Sequence, residues 1–157
     1  YITVKEERTH IESYLEIQQF RYQDILDYEI QMDEEIYGYI IPKLTLQPLV
    51  ENALYHGIKN KRGKGKILIT GKKQGDKIIF QVIDNGKGMT EEELNSLRKK
   101  MAGTDTGDEA KGFGVSNVNQ RIKYYYGEEY GVFFESKENE GTNATIIIAA
   151  KNIQLLS

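Results

Sequence analysis

Hydrophobic residues recur along this chain with two different periods, and each period predicts a kind of element. Residues 9–26 place apolar side chains at helical spacing, which predicts an amphipathic helix. Residues 27–33 alternate apolar and polar positions, which predicts a half-buried strand. Residues 46–56 are again apolar at helical spacing, with Pro48 suited to a first turn and Gly57 as a stop signal, so a second helix is expected there.

The chain beyond residue 65 predicts two strand hairpins and two helices. The strands are expected at residues 66–73, 77–84, 132–136 and 142–149, and the helices at residues 90–101 and 115–126. Thr90 with Glu93 three residues later forms a capping box, which marks the start of the first of these helices. Residues 102–111 are small, polar and charged, so they are expected to form a mobile loop.

This order of elements predicts an α+β fold. Hairpins mixed with helices favour a two-layer α/β sandwich, in which a mixed sheet carries its helices on one face. The order does not repeat a strand–helix–strand unit, which disfavours a Rossmann fold. The expected organisation is a helix over residues 1–26, a domain over residues 27–150 and a tail over residues 151–157.

Composition narrows the classes of function. The 157 residues include no cysteine, which excludes a disulfide scaffold, a zinc–thiolate site and a cysteine nucleophile. Lys and Arg number 21 against 24 Asp and Glu, and the net charge of −3 gives no reason to expect a nucleic-acid partner. No apolar run reaches the roughly 18–20 residues of a membrane-spanning helix. Because the chain begins at Tyr1 rather than at a methionine, it is expected to be a piece of a larger protein.

The first two motifs along the chain carry candidate binding chemistry. Asn52 lies in an otherwise apolar helix, where its amide oxygen can ligate a hard cation such as Mg²⁺. Asp84 ends a predicted strand and precedes Gly86 and Gly88, which allow the backbone to turn tightly beside a ligand. A carboxylate at such a strand end can accept a hydrogen bond from an exocyclic amine in a pocket.

Two further motifs follow. Gly112-Phe113-Gly114 opens a predicted helix, whose free N–H groups can bind phosphate. Gly141-Thr142 enters the last predicted strand. Each motif alone is common in proteins that bind no ligand. Their order, and a separation of roughly thirty residues, raise the significance of the set, because each motif lies on the element that its chemistry requires.

The four stretches resemble the conserved boxes of the ATP-binding fold shared by gyrase, Hsp90-type chaperones, MutL and histidine kinases, known as the Bergerat fold. The flanking residues resemble more narrowly the LytS/YesM-like bacterial sensor histidine kinases, and the resemblance covers about residues 5–150. The stretches that carry it are Ser13-Tyr14-Leu15-Glu16-Ile17-Gln18, Ile41-Pro42-Lys43-Leu44 and Leu46-Gln47-Pro48-Leu49-Val50-Glu51-Asn52-Ala53.

The resemblance implies a role for each matching residue. Asn52 would bind Mg²⁺ at the ATP phosphates, with Glu51 and His56 as further catalytic candidates. Asp84 would bind the adenine amino group, with Thr142 supporting it through water. The other cofactor-binding residues that the resemblance implies are Gly86, Gly88, Met89, Lys111, Gly112, Gly114 and Val115, and residues 102–111 would form a lid over the ATP.

One departure from the family pattern bears on the reaction. Members that hydrolyse ATP carry a carboxylate one helical turn before the asparagine, and Pro48 stands there in this chain. Glu51 is adjacent to Asn52 and therefore faces about 100° away around the helix. A kinase has to position a phosphoryl group rather than activate water, so the missing carboxylate favours a kinase.

The resemblance therefore implies the catalytic ATP-binding domain of a two-component sensor histidine kinase. Such a domain donates the γ-phosphoryl group of Mg-ATP to a histidine on an upstream dimerisation helix, for relay to an aspartate of a response regulator. His10 is expected to face solvent and His56 to lie inside the nucleotide site, so neither is the expected acceptor. The full-length protein is expected to be a homodimer anchored in a bacterial cell membrane, with this domain in the cytoplasm. The present fragment is expected to be monomeric.

Three other functions stay open. An anti-sigma-factor-type serine kinase shares the fold, although the long N-terminal helix and Gln47-Pro48 argue against it. An ATPase clamp of the MutL type would need the missing carboxylate and further domains. A non-catalytic interaction module would keep the fold without ATP, although all four motifs retain their chemical groups.

Overall fold

The computed structural model describes residues 1–23, 25–58, 63–103 and 113–152. Its strands are β1 (Ile2–Thr3), β2 (Leu26–Met32), β3 (Ile40–Ile41), β4 (Gly65–Gln74), β5 (Lys77–Asp84), β6 (Gly131–Lys137) and β7 (Gly141–Ala149). Its helices are α1 (Val4–Arg21), α2 (Gln47–Asn52), α3 (Glu91–Met101) and α4 (Phe113–Tyr126). A π-helical segment, Ala53–Ile58, continues α2 without a break, and a short 3₁₀ turn covers Glu34–Ile36.

Five strands form one mixed sheet in the order β2-β4-β5-β7-β6. β2 and β4 run parallel, whereas the other neighbouring strands run antiparallel. The register places Asp84 of β5 opposite Thr142 of β7, and Thr142 opposite Ser136 of β6. The sheet therefore gathers a row of polar side chains at one end of three adjacent strands.

One face of the sheet carries the hydrophobic core. Along β5, Ile78, Phe80 and Val82 are buried, whereas the residues between them are only half-buried. Helix residues complete the core, and those that are fully or almost fully buried include Val4, Ile11, Leu15, Leu49, Val50, Leu54, Val115, Val118 and Ile122. This is the α+β sandwich that the sequence predicted, with helices on one face of a mixed sheet.

α1 begins earlier than the hydrophobic pattern predicted. The Thr3 hydroxyl accepts a hydrogen bond from the Glu6 amide at 3.1 Å, and the Glu6 carboxylate accepts one from the Thr3 amide at 3.3 Å. This capping box starts the helix at Val4 rather than at residue 9. The helix ends at Arg21 rather than at residue 26, because the chain turns there into β2. α1 shares the core of the sandwich, and the predicted division after residue 26 stays a prediction.

Gly57 does not stop the second helix as predicted, because the π-helical segment includes it and runs on to Ile58. The start agrees with the prediction, with Pro48 in the first turn of α2. The remaining predicted helices and strands agree with the structure to within two residues at each end. Among the helices of the described residues, none is long and apolar enough to cross a membrane.

Candidate functional site

A cavity of about 470 Å³ opens at the end of the sheet where β5 stops and β7 begins. Helical residues around α2 form one side of it and α3 forms another. The lining residues are Asn52, His56, Gly57, Asp84, Lys87, Gly88, Met89, Glu92, Glu93, Ser96, Leu97, Lys100 and Thr142. Of the residues that the sequence singled out for binding or catalysis, the structure brings Asn52, His56, Asp84, Gly88, Met89 and Thr142 to this one cavity.

Asp84 is the buried acid of the cavity, with 6% of its surface exposed. Its Oδ1 accepts a hydrogen bond from the Gly86 amide at 2.9 Å, which closes a tight turn after β5. Gly57 packs directly against this carboxylate, because a Cβ atom at position 57 would lie 2.6 Å from Oδ1. A Cβ atom at position 86 would collide with the Gly57 backbone. The end of the helix can therefore reach the end of β5 only because both positions are glycine.

Ser136, which the sequence analysis did not single out, holds the other side of the Asp84 pocket. Its Oγ accepts a hydrogen bond from the Met89 amide at 2.8 Å and donates one to the Gly141 carbonyl at 3.0 Å. The same oxygen lies 2.7 Å from Thr142 Oγ1. A hydroxyl carries one proton, so when Ser136 donates to Gly141 the Thr142 hydroxyl donates to Ser136.

The direction of these hydrogen bonds determines what the cavity offers to a ligand. With its proton directed at Ser136, Thr142 presents acceptor lone pairs beside the Asp84 carboxylate. Two neighbouring acceptors suit an amino group, such as the exocyclic amine of adenine.

Two glycines with positive φ bring backbone segments together beside the cavity. Gly88 has a φ of +65°, and a Cβ atom there would collide with the Lys137 carbonyl. Gly141 has a φ of +120°, and a Cβ atom there would collide with the Asp84 carbonyl. Larger residues at either position would separate the turn after β5 from the β6–β7 hairpin.

Asn52 and His56 lie four residues apart on the helical side of the cavity, and both line it. Residues with this spacing share one face of a helix. Glu51 is half-buried, accepts a hydrogen bond from Gln47 Nε2 at 3.2 Å and is not among the lining residues. This placement agrees with the angle of about 100° between adjacent helix residues. A catalytic role of Glu51 stays a prediction.

The donor set at Asn52 limits how a metal ion could bind. Within the described residues, no group of three or more His, Cys, Asp or Glu side chains could hold a metal ion. The amide of Asn52 can supply one oxygen ligand of the kind that Mg²⁺ accepts. Such an ion would take its other ligands from a phosphate chain and water, which is the common form of magnesium sites at nucleotides. The residues present therefore fit Mg²⁺ that arrives with a nucleotide.

The predicted phosphate loop lies only partly within the described residues. Lys111 and Gly112 lie outside them, and only residues 102–103 of the predicted lid are described. Gly114 lies in the first turn of α4, where a Cβ atom would be 3.6 Å from Pro48. The Val115 side chain is buried in the core, so any contact of this residue with a ligand would come from its backbone.

α3 forms a wall of the cavity that the sequence analysis did not assign. Glu93, Leu97 and Lys100 line the cavity at helical spacing, and Lys87 adds a second cation from the turn after β5. The sequence carries one sign of this wall, because the spacing of these residues puts them on one face of α3. Helical spacing shows which residues share a face but not what that face packs against, so the sequence alone could not place them here.

The sequence of the chain matches a known family over most of its length. The model of the family described as histidine kinase-, DNA gyrase B- and HSP90-like ATPases matches residues 42–152. The sensor histidine kinase YesM of Bacillus subtilis (strain 168) is 34% identical over 151 residues, covering 96% of this chain and 24% of YesM. The sensor protein LytS of Bacillus anthracis is 31% identical over 150 residues, covering 96% of this chain and 25% of LytS. The chain thus spans about a quarter of the length of these curated relatives.

Solved structures share the fold. The catalytic domain of histidine kinase ThkA has a TM-score of 0.70 and 20% identity, with 96% of each chain covered. ThkA in complex with the response regulator protein TrrA has a TM-score of 0.69 and 20% identity, covering 96% of this chain and 41% of that chain.

Proposed function

The chain belongs to the family of histidine kinase-, DNA gyrase B- and HSP90-like ATPases, and on that premise we propose that it is the catalytic ATP-binding domain of a two-component sensor histidine kinase. The observation that carries the proposal is Asp84, a buried carboxylate whose pocket also contains Asn52 and Thr142. The named relatives YesM and LytS are sensor proteins, and this chain aligns with a quarter of each.

The Asp84 end of the cavity would bind adenine. The Asp84 carboxylate accepts a hydrogen bond from the exocyclic amine, and Thr142 supports it through water. Met89 lines the same cavity with apolar surface. Gly86 and Gly88 keep the turn after β5 tight enough for the base to approach the backbone.

The Asn52 end would bind the phosphates. Asn52 would hold Mg²⁺ through its amide oxygen, and His56 lines the cavity four residues further along the same helical segment. Mg²⁺ would supply positive charge that neutralises the phosphate oxygens. Lys111, Gly112 and Gly114 would contact the phosphates, and residues 102–111 would form the lid.

The reaction transfers the γ-phosphoryl group to a histidine of the upstream dimerisation helix. An imidazole nitrogen forms a bond to the γ-phosphorus while the bond from that phosphorus to the bridging oxygen breaks. ADP leaves with the electron pair, and the imidazole proton passes to solvent. Pro48 occupies the position where hydrolysing relatives carry a water-activating carboxylate, so the chain's own residues position a phosphoryl group rather than a water.

The phosphoryl group would then pass to an aspartate of a response regulator. ThkA, which shares the fold, has been solved in complex with such a protein, and this supports the choice of partner. The whole protein would be a membrane-anchored homodimer, with this domain in the cytoplasm.

Calorimetry with Mg-ATP tests the binding part of the proposal. The wild-type chain is expected to bind the nucleotide. Asp84→Asn should weaken binding by about 10- to 100-fold, because a hydrogen bond to a charged group contributes roughly 1.5–3 kcal/mol. Asp76→Asn is the matched control, since Asp76 is exposed in the turn between β4 and β5. Absence of binding at millimolar nucleotide would refute the proposal.

The transfer itself is tested with the full-length protein and ATP labelled at the γ-phosphate. The expected product is a label on protein that is lost in acid and kept in base, as a phosphorylated imidazole requires. A label that is stable in acid would indicate a serine kinase instead.

A further inference from the structure

We propose that Glu7 is a positioning residue, whose carboxylate fixes the turn before α2 and thereby places Asn52 at the phosphate end of the cavity. This inference rests on the proposed function and adds a residue to it. Glu7 lies on α1, which does not line the cavity.

Glu7 is a carboxylate inside the core. Only 1% of its surface is exposed, although the helix residues on both sides in sequence include exposed or half-exposed charges. Its Oε2 accepts a hydrogen bond from the Leu44 amide and its Oε1 accepts one from the Leu46 amide, both at 3.3 Å. Both carboxylate oxygens are therefore used, and they bind two amides of one short turn that is 37 to 39 residues away in sequence.

The turn that Glu7 binds is constrained from several sides. Leu44 has a φ of +62°, a conformation that a branched side chain rarely adopts. Arg121 of α4 donates a hydrogen bond from Nη2 to the Leu44 carbonyl at 2.7 Å. The Thr45 hydroxyl donates to the Pro42 carbonyl. The Glu7 side chain of α1 thus binds the amide of Leu44, and the Arg121 side chain of α4 binds its carbonyl. A residue keeps an unfavourable backbone conformation only when surrounding contacts hold it there.

Stability alone does not account for a charged group at this position. Burial raises the pKa of Glu7 above its ordinary value, and this outweighs the opposing effects of the Leu46, Leu44 and Gln47 amides and of His10. Holding the ionised carboxylate in the core therefore costs folding free energy. The carboxylate instead fixes the positions of the Leu44 and Leu46 amides relative to each other. An ionised carboxylate can accept from two converging amides, whereas a glutamine side chain has only one acceptor oxygen.

The turn is connected to the cavity through a short rigid path. Leu46 immediately precedes α2, and Asn52 is the last residue of α2, six positions later. Leu49 and Val50 between them are buried in the core, so the helix moves as one body with its first turn. A displacement of the Leu44–Leu46 backbone is thus carried to Asn52.

The same displacement acts less directly on the adenine end, which the helical segment meets only at Gly57, five positions beyond Asn52. Asp84 itself is held by the sheet, because it lies on β5, which is hydrogen-bonded to β4 and β7, and its Oδ1 accepts a hydrogen bond from the Gly86 amide. Loss of the Glu7 carboxylate should therefore impair the metal-dependent part of nucleotide binding and spare the metal-independent part.

The test compares ATP affinity with Mg²⁺ and with a chelator for the wild-type chain, Glu7→Gln and the control Glu16→Gln. Glu16 lies on the same helix and is exposed, so the chemical change is identical and the surroundings differ. For Glu7→Gln, the tightening of ATP binding by Mg²⁺ should fall by about fivefold, the effect of one lost hydrogen bond, while the affinity without metal stays unchanged. Glu16→Gln should leave both affinities unchanged.

Arg121→Gln provides a second variant, at a half-buried residue outside the hydrophobic core. It removes the hydrogen bond to the Leu44 carbonyl from the other side of the turn, and it should reduce the Mg²⁺-dependent tightening in the same selective way. In a chain that already carries Asn52→Ala, Glu7→Gln should add no further loss, because Glu7 acts through Asn52.

The outcomes separate the two proposals. If the wild-type chain binds no nucleotide, both the proposed function and this inference are wrong. If the wild-type binds Mg-ATP, but Glu7→Gln lowers affinity equally with and without metal or lowers only thermal stability, the proposed function stands and Glu7 is a purely structural residue.

Discussion

The two ends of the cavity are built in different ways. At the end proposed to bind adenine (the adenine end), Asp84, Thr142 and Ser136 lie opposite one another on three neighbouring strands. At the end proposed to bind the phosphates (the phosphate end), Asn52 lies on a helix that is preceded by a turn bound to Glu7 and Arg121. Sheet register is determined by backbone hydrogen bonds, whereas the helix is positioned by side chains that are distant in sequence.

Because of this difference, we expect the two ends to respond differently to substitutions. A row of side chains across a sheet keeps its spacing as long as the strands stay paired. Substitutions in this row should therefore alter ATP affinity through the hydrogen-bonding groups that they remove. A helix that is held at its first turn can shift as a body, so changes far from the cavity should act on Asn52.

The largest loss of ATP affinity is expected from Gly57→Ala, because at Gly57 the π-helical segment after α2 contacts Asp84 of β5. A Cβ atom at position 57 would lie 2.6 Å from Asp84 Oδ1, so the carboxylate or the helix has to move. Overpacking of this kind costs about 1–3 kcal/mol, which corresponds to a roughly 5- to 150-fold loss of ATP affinity at the adenine end. Calorimetry with ATP in the presence of a chelator measures this loss of affinity without a contribution from Mg²⁺.

Gly38→Ala is the matched control for that experiment, since no atom lies within 4 Å of a Cβ placed there. It should leave binding unchanged. Normal ATP affinity in Gly57→Ala would show that the two ends are not in contact through this residue.

A smaller effect is expected from Asn52→Ala. The change removes the amide oxygen that would ligate Mg²⁺, so ATP affinity measured with Mg²⁺ should fall by about tenfold, while affinity without metal stays the same. Titration of ATP into the variant with and without Mg²⁺ checks this. Equal losses under the two conditions would remove the distinction between a metal-dependent and a metal-independent end.

Ser136→Ala is expected to have a milder effect on the adenine end. It removes the acceptor of the Met89 amide and the partner of the Thr142 hydroxyl, each a contact of 2.7–2.8 Å. Loss of about one net hydrogen bond predicts a roughly fivefold loss of ATP affinity, with or without metal. The preference for ATP over GTP should also decrease, because Thr142 is then free to donate to a carbonyl oxygen. An unchanged ratio of the two affinities would contradict this role of Ser136.

The smallest effect concerns pH and the Glu7 contact. Burial raises the pKa of Glu7 above 4.5, so the folded chain holds this proton more tightly than the unfolded chain does. The contribution of Glu7 to the free energy of unfolding is therefore fully present below its unfolded pKa and is lost as the pH rises through its folded pKa. Denaturant unfolding of both chains between about pH 4 and pH 8 should show the free energy of unfolding of the wild type falling relative to that of Glu7→Gln as the pH rises. A rise relative to Glu7→Gln would have the wrong sign.

Much of the fold could be predicted from local pattern. Strands of the sheet alternate buried and half-buried residues, so their period is visible in the sequence, and Thr90 with Glu93 marked the start of α3 correctly. The start of α1 was missed because its capping box at Thr3 lies outside the apolar stripe. The prediction that Gly57 stops the helix was wrong, because a glycine in a sequence can mark either the end of a helix or a close contact. At Gly57 it permits the close contact of the helical segment with Asp84.

By itself, the sequence determined the α+β class and the motifs of the candidate site, because hydrophobic period, turn residues and motif order are local properties of the chain. Only the tertiary structure decided that α3 lines the cavity, that Ser136 orients Thr142 and that Glu7 holds the turn before α2. The partners in these contacts are separated by 6 to 39 residues, and their meeting depends on strand register and helix packing. Such contacts are set by the global arrangement of the core, which no local pattern specifies.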